Sequence, residues 1–258
     1  MKVDKAIKAT FNTNLIILNG FLVALLVGTI LLMLPVSSAS GNGTDFITAL
    51  FTATTSLCVT GLVVVPTYAY WSIFGKVIIL ILIQLGGLGI ISFTIGFLII
   101  IGKKISLKER KMIQESYNLD SAQGVLKILR KIFGITVKIE GIGAILYSIQ
   151  FIPEYGIVKG ICYSVFHSVS AFCNAGIDII GNDSFVKYHG NVLVNFTTVM
   201  LIICGGIGFI VWLDIGGIIS EIRNKKLRPN KFIERMKLHT KLVLITTAIL
   251  VGGGFLFI

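Results

Sequence analysis

Five apolar stretches, residues 15–34, 76–101, 132–152, 191–213 and 242–258, limit what this chain can fold into. Each matches or approaches the roughly 20 helical residues needed to cross a bilayer's hydrocarbon core. None shows the two-residue alternation of a membrane barrel strand. In hydrocarbon every peptide group needs an internal partner, and a continuous helix supplies one within the segment. With 55% hydrophobic and 14% charged residues, the composition lies outside that of soluble domains. The expected fold is an all-α polytopic membrane protein.

The net charge of +11 would suit nucleic acid, but its placement argues otherwise. Lys and Arg concentrate at the N-terminus and in residues 103–131 and 223–241, whereas residues 35–70 hold none and 153–190 hold only Lys159 and Lys187. The positive-inside rule then sets the N-terminus in the cytoplasm and both poorly charged connections outside, in the cytoplasmic membrane of a cell. Anionic lipid accounts for most of the basic charge, and no nucleic-acid partner is expected. The first apolar stretch is too long for a secretory signal core, so it is read as a retained helix. Cys58, Cys162, Cys173 and Cys204 lie in apolar surroundings without metal spacing and are expected as buried free thiols.

The first outside connection is too greasy to lie in water. Thr44 is a candidate N-cap, with Asp45 in the first turn, for a helix over 44–57 of about 21 Å, too short to span. It must enter the membrane and return, and a returning backbone at that depth is tolerated only inside protein or against a wet cavity. The second outside connection repeats the pattern: "ALFTATTSLCVTGL" at 49–62 aligns without gaps on "SVFHSVSAFCNAGI" at 164–177, pairing Phe51 with Phe166, Cys58 with Cys173 and Gly61 with Gly176. Downstream, "GGLGII" at 86–91 matches "GGIGFI" at 205–210. The unit is helix, pore loop, helix. Two units are complete and a third begins at 242, which suggests a piece of a longer protein.

Two short helices whose C-terminal ends approach one backbone segment present partial negative charge and carbonyl oxygens, which suits a cation. A set of such carbonyls replaces the hydration shell of K⁺, and a glycine frees the chain to aim them. Neither segment carries an acidic ring.

"TSLCVTGL", "FHSVSAFCNAGID" and the paired "GGLGIISF" and "GGIGFIVWLD" resemble the Trk/Ktr/HKT potassium transporter superfamily, and most of all its bacterial TrkH/KtrB-type membrane subunits. The resemblance covers essentially the whole chain. It implies four units around one pore, with Cys58, Val59, Thr60 and Gly61 forming the first selectivity-filter strand. Cys173, Asn174, Ala175 and Gly176 form the second. Gly61 in place of serine implies preference for K⁺. The third and fourth units, and the gating loop the family places in the third, are lacking. The resemblance also implies a cytosolic nucleotide-binding regulatory subunit of TrkA/KtrA type docking on the inside segments. A homodimer is the expected assembly, K⁺ the transported ion and Na⁺ a candidate activating or coupled ion.

The domain reading is a first helix–pore–helix unit at 1–102, a basic cytoplasmic linker at 103–131, a second unit at 132–220, a second linker at 221–241 and the first helix of a third unit at 242–258. Potassium uptake is the expected function, with no covalent chemistry. The alternatives are a two-unit cation channel that completes its pore by dimerising, and a membrane metalloenzyme using His167, Asp178, Asp183 and His189. Against the enzyme, replacing His167 and His189 with Ala is expected to leave uptake largely intact. Lys76 and Lys138 are expected to snorkel, Glu140 to pair with a basic residue of a neighbouring helix, and the glycine clusters to serve close packing before hinging. Gln84 and Asn195 are read as ordinary interhelical hydrogen bonders.

Overall fold

The computed structural model describes residues 2–89, 125–181, 183–224 and 228–257. The part of the second apolar stretch beyond 89, and 103–124 of the first basic linker, lie outside the described residues. In the described residues the regular structure is helical, with one isolated bridge between Ser38 and Trp71. The helices are α1 (Lys2–Met33), α2 (Phe46–Leu57), α3 (Thr67–Tyr70), α4 (Ile73–Leu88), α5 (Val125–Tyr155), α6 (Ile157–Phe172), α7 (Val192–Gly206), α8 (Phe209–Arg223), α9 (Phe232–Arg235) and α10 (Leu238–Phe257). α5 thus begins inside the segment 103–131, and α10 inside 221–241.

α1 ends where Pro35 holds Leu34 extended (ψ 141°), as expected of a residue before proline. The connection then folds over the start of α4: Ser72 donates through its hydroxyl to Val36 O at 2.6 Å, and Ala39 N donates to Tyr70 O at 2.8 Å. Asp45, not Thr44, is the N-cap of α2. Its carboxylate accepts from Thr48 N at 2.9 Å, the third amide into the helix and the one an N-cap oxygen reaches. That bond holds the Asp45 carboxyl below the usual carboxylate range. Thr44 is buried beside it and accepts instead from the Tyr70 hydroxyl at 3.4 Å.

α1, α2 and α4 pack on one another, as do α5, α6 and α7, and α4 joins the two groups through α6. One apolar core runs through both and includes Leu57, Ile79, Ile83, Tyr147, Phe151 and Phe172. Apolar side chains also cover outer faces: Leu18, Leu22, Leu26 and Ile30 on α1, and Ile142, Ile145 and Ile149 on α5, are all exposed at helical spacing. Water would not stabilise such faces, and lipid would. By length and composition Lys127–Tyr155 is the one described helix that qualifies alone to cross a membrane.

The fourth apolar stretch is not one straight helix. α7 and α8 meet at 94° across Ile207 and Gly208, the latter at φ 83°. The Trp212 indole donates to Cys204 O at 2.9 Å, satisfying a carbonyl freed by the break. Asp214 on α8 then accepts from Lys237 N at 3.0 Å and Thr240 Oγ1 at 2.6 Å, capping the start of α10. Hydropathy does not register such a bend.

The short helices are seated against bare glycine. A Cβ on Gly86 of α4 would run into Leu57 O, and one on Gly205 of α7 into Phe172 O, the last carbonyls of α2 and α6. Gly206, the next residue, faces open space. Gly205→Ala is therefore expected to cost about 1–3 kcal/mol or more and to lower the melting temperature in detergent, whereas Gly206→Ala leaves it close to wild type. Equal behaviour of the pair in a thermal-shift assay would contradict the packing.

Candidate functional site

α2 has 12 residues and α6 has 16, giving lengths of about 18 and 24 Å, both short of a membrane core. Both end in the same backbone sequence. Cys58 (φ −85°) and Cys173 (φ −74°) are helical C-caps. Val59 and Asn174 follow in the left-handed region at φ 57° and 60°, and Gly61 and Gly176 return to positive φ at 76° and 68°. Asn tolerates that region, whereas a β-branched Val is strained in it by roughly 1–3 kcal/mol, so surrounding contacts must hold Val59 there. One such contact is Gly86, where an added Cβ would lie 2.9 Å from the Val59 side chain.

The hydrogen bonds repeat as well. Thr60 N donates to Thr55 O at 3.0 Å and Ala175 N to Ser170 O at 2.8 Å, at positions 115 residues apart. In a trans peptide the N–H and the preceding C=O point opposite ways. Because these N–H groups turn back into α2 and α6, the carbonyls of Val59 and Asn174 face away from their helices. Hydroxyls from the same helices brace the loops: Thr55 Oγ1 bonds Thr60 Oγ1 at 2.7 Å, and Ser170 Oγ donates to Ile177 O at 2.6 Å.

The two segments meet. A Cβ on Gly61 would lie 2.6 Å from Ala175 O and 3.5 Å from Gly176 Cα, and a Cβ on Gly176 3.7 Å from Gly61 Cα. Gly61 thus faces two demands, positive φ and close backbone approach, that only glycine meets without displacement. The eight residues expected from sequence all lie on these two segments, but their side chains differ in placement. Cys173 is buried as expected of the cysteines, but Cys58, like Cys162 on α6, is exposed, against that expectation. The Asn174 amide turns to α7, donating to Ile202 O at 3.5 Å.

A scaffold of side chains stands behind these loops. His167 is buried, with Nδ1–H donating to Tyr163 O at 2.6 Å and Nε2 accepting from Ile179 N at 3.2 Å. It ties α6 to the chain just past Gly176. Thr52, at the matching position in α2, only bonds back to Thr48 O. Asp178 accepts from Ser184 Oγ at 2.7 Å and Ile180 N at 3.3 Å, beside a cavity of about 200 Å³ that His167, Ser170 and Asn174 also line. His189 Nδ1 faces Val186 O. Among the described residues no group of three or more His, Cys, Asp or Glu side chains is arranged to hold a metal ion. Lys76 reaches Tyr68 O at 2.7 Å. Among the described residues the side-chain partner of Glu140 is an amide and not the expected basic residue: Gln84 Nε2 of α4 donates to its Oε1 at 2.9 Å.

Comparison with known proteins gives a family and several relatives. A family profile described as TrkH, cation transport protein, matches residues 2–258. The potassium/sodium uptake protein NtpJ of Enterococcus hirae is 43% identical over 254 residues, covering 98% of this chain and 53% of that protein. Ktr system potassium uptake protein B of Bacillus subtilis is 38% identical over 251 residues, 97% of this chain and 53% of the relative. The protein of the same name from Vibrio alginolyticus is 37% identical over 240 residues, 93% and 50% respectively. The chain spans about half the length of these curated relatives.

The geometry separates the two histidines. His167→Ala opens a cavity and leaves Ile179 N and Tyr163 O without this partner, a loss of roughly 3 kcal/mol or more. His189→Ala is expected to be near neutral in stability. The amount and thermal stability of each purified variant check this, and a His167→Ala protein as stable as wild type would count against the strut.

Proposed function

The chain belongs to the TrkH family of cation transport proteins, transporters and not enzymes, and from that premise we propose that it forms part of the pore of a potassium uptake system. The observation that carries this reading is the meeting of Gly61 with Ala175 and Gly176, on two segments that share one pattern of backbone angles and hydrogen bonds. Carbonyls turned away from α2 and α6, at the partially negative helix ends, offer neutral oxygen ligands to a bare monovalent cation. In this reading Cys58, Val59, Thr60 and Gly61 form the first filter strand, and Cys173, Asn174, Ala175 and Gly176 the second. The K⁺ ion loses its water more readily than Na⁺, and the membrane potential drives it inward.

Residues 1–102 and 132–220 are the two units, with the N-terminus and the basic segments 103–131 and 221–241 on the cytoplasmic side. Residues 242–258 open a third unit. Relatives about twice as long as the matched span have room for four units in one polypeptide, which favours that arrangement over a pore closed by two copies of a two-unit chain. A cytosolic nucleotide-binding subunit docking on the basic segments, a homodimeric assembly and Na⁺ as activating or coupled ion complete the proposal. The two ions named for the Enterococcus relative accord with the last.

Gly61→Ser tests the reading. A side chain there must displace Ala175 O, so the variant is expected to insert normally and to discriminate K⁺ from Na⁺ less well, by about tenfold for each 1.4 kcal/mol lost. The measurement is rubidium uptake in competition with Na⁺, in cells lacking their own potassium uptake systems and supplied with the full-length gene. An unchanged preference would remove the filter assignment.

A further inference from the structure

A hydrogen-bonded chain joins the two units just behind the second filter strand. Cys173 Sγ donates to Gln84 Oε1 at 3.6 Å, and Gln84 Nε2 donates to Glu140 Oε1 at 2.9 Å. Gln84 lies on α4 of the first unit, Glu140 on α5 and Cys173 at the end of α6, both in the second. Glu140 and Cys173 are each 9% exposed, so neither has ready access to water in place of these partners. One turn further along α4, Gly87 is bare where Cys173 sits: a Cβ there would lie 2.7 Å from Cys173 Cβ. Ser168 Oγ, on α6, donates to Glu140 O at 2.6 Å and locks α5 to α6 at the same level. Helix α4 thus offers Cys173 a seat and an acceptor together, and α5 anchors the far end of the amide.

We propose that Gln84 is a positioning residue for ion selection: by tying Cys173 and α5 to α4, it fixes where the second filter strand stands against the first. This rests on the filter reading above. Cys173 opens the strand, and Ala175 and Gly176, two and three residues later, are the atoms that abut Gly61. A shift of Cys173 away from α4 therefore changes the gap between the two strands. Cys58, the matching residue of the first unit, is exposed in this structure.

The alternative is that Gln84 is polar glue between helices and affects only stability. Ion preference separates the two. Gln84→Leu, Cys173→Ala and the combination would be measured in the full-length protein by rubidium uptake in competition with Na⁺, with membrane protein amount quantified alongside. Gln84→Leu combined with Glu140→Leu removes the carboxyl that Gln84→Leu strands, and keeps the test valid should the single variant fold poorly. The proposal expects each single variant to lower K⁺ preference over Na⁺ by about threefold or more, and the Gln84→Leu, Cys173→Ala pair to lower it no further, since both break one chain. It is overturned if preference stays at the wild-type value in Gln84→Leu or in its Glu140→Leu partner variant, or if the shifts multiply. Gly61→Ser run in parallel separates the two failures. A shift there with none at Gln84 sinks only the tie, and no shift at either sinks the filter reading as well.

Discussion

A peptide chain that turns round inside a hydrocarbon layer must find a partner for each amide it exposes, at several kcal/mol for each one left bare. In the proposed reading α2 and α6 end in such a place, and the loops that follow them share one solution. Thr60 N and Ala175 N donate back into the helix just ended, and Thr55 and Ser170 hydroxyls brace the return. Donors are consumed inside the protein while acceptors of the same peptide planes face outward. A surface of carbonyls follows from satisfying the N–H groups first.

Everything around the loops serves to keep them there. Bare glycines on α4 and α7 let the helix ends sit against backbone, and a Cβ at either Gly86 or Gly205 would push the loop off its seat. The strain of Val59 at positive φ persists because Gly86 closes over it. On the second loop His167 spans from Tyr163 O to Ile179 N, and Gln84 reaches across from the neighbouring group of helices. Packing one loop against the other then needs no side chain at all: Gly61 meets the backbone of Ala175 and Gly176.

Much of this was legible in the sequence, because the ungapped match between the two outside segments exposes what both loops share. Helix ends, left-handed positions and glycines recur at matched sites. What differs between the loops was not legible. Cys173 has Gln84 and Gly87 beside it because α4 lies against α6, a contact that matching letters in the repeat do not foretell. Thr44 and Asp45 are both competent caps by residue type, and only the reach to Thr48 N decides between them. The fourth apolar stretch is greasy throughout, so its 94° break at Gly208 leaves no trace in hydropathy. Glu140 pointed to an ion pair because a buried charge usually seeks one, but among the described residues its carboxylate accepts from the Gln84 amide.

In the proposed reading, main-chain oxygens of the two loops face one shared path for a dehydrated cation. Anomalous diffraction from crystals of the full-length protein grown with rubidium or thallium tests it directly. Ion density is expected in direct coordination range of carbonyls from Val59 or Thr60 together with Asn174 or Ala175. Density elsewhere in the protein, with those four carbonyls turned toward lipid or buried in packing, would contradict it.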